Sequence, residues 1–391
     1  MRGSSLLLPA ADGSLTPYEP GAPPQLPAPD PSPPRSRVAF AAAHVVAEPL
    51  AAGDPLTEPT IDWDATMAFR RHLWSYGLGV ADAMDTAQRG GSLGWPEARE
   101  LIVRSAAEAR AVNGRLACGA ATDQLDPGAP ASLERIRDAY LEQCELIEAE
   151  GATAVIMASR QLAATASGSG DYREVYDAVF GRAKEPVILH WLGAVFDPAL
   201  AGYWGAADPA AAIDTVAELI ADHASRVDGI KVSLLDARLE VELRRRLPRG
   251  VRLYTGDDYN FAELIRGDSD GSSDALLGIF DPIAPVAAAA LRALDDGDVD
   301  RYEKLLAPTV PLARHMFAAP TAGYKCGVVF LAYLNDHQRH FRMLGGLESA
   351  RSIVHLAELF RLADGAGALP DPERAARRFR PVLVQAGVEQ P

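Results

Sequence analysis

The stretch VDGIKVSLLD, residues 227–236, reads as a buried strand with Val227, Ile230, Val232 and Leu234 as its apolar members. Lys231 stands in the middle of it. Only four of the 38 basic residues are lysines: Lys184, Lys231, Lys304 and Lys325. A lysine held away from water loses part of its basicity, because burial penalises the charged form. Its neutral amine attacks ketones and aldehydes to form a Schiff base. The protonated imine then withdraws electrons from the adjacent carbon, so that a C–C bond can break or form. The same residue type also fits a structural ion pair with Asp257 or Asp85. A second chemistry is open to His44, Asp85, His190 and Asp257, two histidines and two carboxylates that suit a divalent ion stabilising an enediolate. None of them has the tight spacing of a known metal motif. Other motifs are weaker. GGSLG (90–94) lacks the lysine or threonine of a phosphate loop, and GDSDGSSD (267–274) matches a calcium loop only in composition. No cysteine has a credible histidine partner.

The elements that must position these residues alternate. Strands are expected over 38–47, 78–84, 115–121, 153–159, 186–192, 228–234, 251–256 and 274–280. Helices are expected over 61–77, 95–110, 132–151, 172–183, 209–224, 237–247, 260–267 and 282–298. Asp62 or Asp64 caps the first helix, Gly77 ends it, and Pro96 opens the second. Eight strands and eight helices in strict alternation predict a (β/α)8 TIM barrel. Near-continuous apolar runs in the strands suit a parallel sheet covered on both sides. The barrel is expected over residues 37–298. A proline-rich arm, residues 1–36, precedes it, either free or wrapped on a neighbouring subunit. A helical extension, 299–391, follows, with helices over 299–317, 324–338 and 347–367.

In this architecture chemistry sits at the carboxyl ends of the strands. That filter selects His44, Asp85, Thr86, Arg89, His190, Lys231, Ser233, Tyr254, Asp257 and Asp258. The net charge of −15 and pI near 5.0 argue against a nucleic acid or an anionic membrane as partner. No run is long and apolar enough for a membrane span. Three scattered cysteines without a CxxC suggest reduced thiols and a cytoplasmic protein.

GIKVS followed by LYTGDD resembles the Schiff-base strand and the next strand of the dihydrodipicolinate synthase / N-acetylneuraminate lyase family, class I aldolases on a TIM barrel. The segment from IDWDATMAFRR to WPEARELI resembles that family's first helix, second strand and carboxylate-binding loop. PVILHWLG resembles its fifth strand, and APTAGYKCGVVFLAYL the opening of its C-terminal helices. The resemblance covers roughly residues 37–345. It implies that Lys231 forms the imine, that Thr86 lies in the carboxylate-binding loop, and that Asp258 holds substrate hydroxyls. It also implies a homodimer or homotetramer, and no cofactor, since the imine is the electron sink.

The departures are equally specific. The loop's second threonine is Ala87 and its glutamate Arg89. Leu162 stands where the family's catalytic tyrosine follows the fourth strand, and His190-Trp191 replaces tyrosine-asparagine on the fifth. Proton transfer is therefore expected from His190, whose imidazole titrates near neutral pH, or from Tyr254. Arg89 offers a bidentate fork to a carboxylate or phosphate, or a salt bridge within its loop. His44, Asp85, Ser233, Gly256 and Asp257 complete the expected substrate rim. The expected function is a class I aldolase or lyase acting on a small 2-oxo acid or keto-sugar, with sugar acids suiting the polar rim. The rivals are a metal-dependent aldolase or isomerase and a non-catalytic ligand-binding barrel.

Overall fold

The computed structural model describes residues 5–126 and 131–390. Ten strands are present: β1 (Leu6–Pro9), β2 (Leu15–Tyr18), β3 (Ala39–Ala42), β4 (Gly79–Asp82), β5 (Leu116–Ala120), β6 (Thr153–Ile156), β7 (Val187–Leu192), β8 (Val227–Ser233), β9 (Arg252–Thr255) and β10 (Asp274–Leu277). β3 to β10 pair in parallel and close into a barrel, with β10 against β3. All eight expected barrel strands are there, most of them shorter than the apolar runs that mark them. A run continues past the last ladder hydrogen bond because the strand ends are buried too. Local capping sets the helix starts: Asp62, Ser132, Asp208 and Asp236 each accept a backbone N–H in the first turn of the helix that follows.

Side chains alternate across each strand. Ile230 and Val232 join the large cluster between barrel and helices, as do Leu189 and Trp191. The residues between them, Lys231 and His190, therefore face the barrel axis. The interior below them is filled by Phe40, Ala81, Met84, Val155, Ile188, Tyr254 and Leu276.

The extension holds helices Val299–Leu306, Thr309–Met316, Tyr324–Leu334, Ile353–Gly365 and Pro372–Gln385. The run expected as one helix over 299–317 is two, because Pro308 has no N–H to donate to the carbonyl of Lys304 one turn before it. The last helix was not anticipated. The N-terminal arm lies along its own chain. β1 and β2 form a hairpin against the final two helices, with Leu6 and Leu8 fully buried. Tyr18 Oη and the Gly21 N–H both donate to Asp364, and the Arg292 guanidinium donates to the carbonyls of Asp30 and Ser32. No single helix among the described residues is long and apolar enough to cross a membrane.

Candidate active site

Lys231 is 4% exposed and makes no hydrogen bond or ion pair with any described residue. It sits in register between His190 on β7 and Tyr254 on β9. Gly256 makes room for it. A Cβ at that position would lie 2.7 Å from Lys231 Cε and 2.2 Å from Ser233 Oγ, so only glycine fits beside this side chain. Burial lowers the basicity of the amine, and the charges of Asp85 and Asp258 pull it partly back.

The two carboxyls beside it behave oppositely. Burial pushes Asp258 up to about 8, although the Ile279 N–H donates to its Oδ1 at 2.8 Å. Asp258 is thus largely protonated at neutral pH. Burial also acts on Asp85, but Lys231, Lys325, His190 and the Tyr324 hydroxyl together hold it below the ordinary carboxylate range. A neutral acid and a carboxylate thus flank one amine. Paired groups whose acidities are driven apart by environment mark acid and base roles.

Tyr324 and Lys325 come from the extension, at the start of helix Tyr324–Leu334. Tyr324 Oη donates to Asp85 Oδ2 at 2.7 Å. Its single proton being committed there, it accepts from Thr86 Oγ1 at 2.9 Å. The Thr86 hydroxyl, Tyr324 hydroxyl and Asp85 carboxylate form a chain that ends beside the amine. Stacking on Phe317, with ring centroids 4.3 Å apart, fixes the Tyr324 ring. A cleft of about 600 Å³ opens between the loops after β4 to β7 and the extension. Asp85, Tyr324 and Lys325 line it, and Lys231 is not among the lining residues. Tyr324 and Lys325 were absent from the expected site. The scarcity of lysine was the one signal that pointed to Lys325.

Other expected residues are placed elsewhere or in other states. His190 does face the axis and bonds Ser233 Oγ through Nε2 at 3.2 Å. Burial and the neighbouring Lys231 push it well below the usual histidine value, so it does not titrate near neutral pH. Its Nδ1 is buried without a partner. Tyr254 points to the amino end of the barrel, where its hydroxyl donates to Asp228 at 2.6 Å, too far down to move a substrate proton at the mouth. The Arg89 fork is already filled. It donates to both oxygens of Asp123, at 3.0 and 2.8 Å, and to Gln143 and the carbonyls of Ala83 and Gly119. This buried clamp ties the loop after β4 to the one after β5 and leaves no donor for a substrate.

His44 turns outward. Its Nδ1 bonds Asp281 at 2.8 Å and its ring packs on Phe69 of the first helix. Asp257 closes the turn after β9, accepting from the N–H groups of Tyr259 and Asn260. The four residues considered for a metal therefore diverge, and no metal-binding group of three forms among the described residues. Ser233 and Gly256 stay within the site, as hydrogen-bond partner and spacer respectively.

No curated protein matches the sequence. Among solved structures, the fold is similar to a putative dihydrodipicolinate synthetase from Pseudomonas aeruginosa, with TM-score 0.63 and 15% identity over 84% of this chain and 98% of that one. It is similar also to dihydrodipicolinate synthase from Aquifex aeolicus, with TM-score 0.63 and 13% identity over 85% and 99%. A family model described as protein of unknown function (DUF993) matches residues 6–388. The chain belongs to that DUF993 family, and its fold is similar to that of the dihydrodipicolinate synthase structures.

Proposed function

We propose that the protein is a Schiff-base lyase or aldolase acting on a small carbonyl compound. The observation that carries the proposal is an amine buried on the barrel axis, free of any ion pair, between the carboxylate of Asp85 and the protonated carboxyl of Asp258. The neutral Lys231 amine adds to the substrate carbonyl. The resulting carbinolamine loses its oxygen as water, which requires a proton, and Asp258 carries one at neutral pH. The protonated imine accepts the electron pair of the breaking C–C bond, giving an enamine and a carbonyl product. Protonation of the enamine carbon and hydrolysis return the amine. Proton transfers at the leaving carbonyl fall to the Asp85–Tyr324–Thr86 chain. The tyrosine missing at Leu162 thus has a replacement from a different element. Ser233 and Gly256 position the lysine side chain.

Borohydride reduction in the presence of a panel of 2-oxo acids and keto-sugars tests this. A reduced adduct mapped to Lys231 by mass spectrometry, absent in Lys231→Met, is expected. An adduct on Lys325 instead, or no adduct with any carbonyl compound, would overturn the assignment.

A further inference from the structure

Among the described residues lining the cleft beside Asp85, one polar side chain, that of Lys325, has no hydrogen-bond or ion-pair partner. Thr122 Oγ1 bonds Ser159 Oγ and Gln161 Oε1, each at 2.7 Å. Arg89 is held by Asp123, and Arg160 by Asp197 and the Gly90 carbonyl. Asp85 receives the Tyr324 hydroxyl. Lys325 lines the same cleft and makes no hydrogen bond or ion pair with a described residue. Much of the remaining wall is apolar, with Leu125, Met157, Leu192, Phe196 and Leu200 from the barrel loops and Leu347 from the extension.

We infer that this cleft binds an amphipathic carboxylic acid, its anionic end on Lys325 and an apolar chain along the wall. A polyhydroxylated sugar acid needs several donors and acceptors, and most polar side chains of the cleft are already engaged with one another. Burying its hydroxyls against leucine and methionine would leave them unpaired at a cost. An alkyl or aryl chain gains by leaving water along the same surface. Resting on the lyase reading, the inference narrows the substrate to a 2-oxo acid with an apolar tail. The Asp85 carboxyl feels the charges of both Lys231 and Lys325, so the two amines share its surroundings, and the carbonyl is assigned to the first and the carboxylate to the second.

Saturated acids have no carbonyl and cannot form the imine, so they probe the cleft alone. Calorimetric titration of the full chain with butanoate, hexanoate, octanoate and hexanamide is the test. Affinity should rise roughly threefold per methylene, and at least tenfold from butanoate to octanoate. Hexanoate should bind at least tenfold tighter than hexanamide, a comparison that needs no variant. Lys325→Gln should abolish that preference, and Lys325→Arg, which keeps the charge, should retain it. Affinity independent of chain length, equal binding of acid and amide, or an acid preference that survives in a folded Lys325→Gln protein overturns the inference. Chain-length dependence without any borohydride adduct sinks the lyase reading and leaves the cleft assignment standing. An adduct without chain-length dependence does the reverse.

Discussion

Asp258→Asn tests the electrostatics of the site directly. The wild-type carboxyl is 4% exposed and pushed up to about 8, a value that already includes the attraction to Lys231. In the unfolded chain an aspartate titrates near pH ~4. Between about pH 4 and pH 8 the folded protein therefore holds a proton that the unfolded chain has released, and stability falls as pH rises through that window. Below it both states are protonated, and above it both are ionised. The full linkage is on the order of 5 kcal/mol. Asparagine keeps an oxygen for the Ile279 N–H and cannot ionise. Unfolding free energies from urea titrations, taken at intervals from pH 5 to pH 9, should show the variant gaining ~3–5 kcal/mol on wild type across that range. Groups outside the site titrate alike in both proteins and cancel in the difference. Curves that run parallel from pH 5 to pH 9 would show that Asp258 ionises normally, and the neutral acid would have to be found elsewhere.

Gly256→Ala should destabilise by about 1–3 kcal/mol through overpacking, and slow adduct formation on Lys231 by roughly 10²-fold through displacement of the amine. Thermal denaturation and the rate of borohydride trapping read the two effects, and unchanged trapping would contradict the packing argument. Arg89→Met should cost about 3–5 kcal/mol, because Asp123 loses its buried partner. A carboxylate clamp predicts instead a raised KM in a protein of normal stability. Tyr254→Phe should lose about 1 kcal/mol and trap at the wild-type rate, since its hydroxyl serves Asp228. Tyr324→Phe should release carbonyl product roughly 10²-fold more slowly, having lost its link to Asp85, while Tyr254→Phe should turn over at the wild-type rate. The reverse ranking of the two tyrosines would restore Tyr254 to the site.

The barrel was legible in the sequence because its signals are local. Apolar runs, turn glycines and N-cap aspartates act within a few residues, and all eight barrel strands follow from them. The inward direction of Lys231 is legible for the same reason, since strand side chains alternate and Ile230 and Val232 claim the helical side. What each polar side chain touches depended on tertiary structure. Arg89 meets Asp123 34 residues away, and Tyr324 reaches Asp85 across 239 residues. Whether Tyr254 points up or down the barrel is a rotamer choice made by Asp228 and the core below. The opposite acidities of Asp85 and Asp258, one a carboxylate and one an acid, come from burial and from charges brought close only by folding. Sequence patterns encode which residues leave water, but the distances between buried charges are set only once the helical extension closes over the barrel mouth.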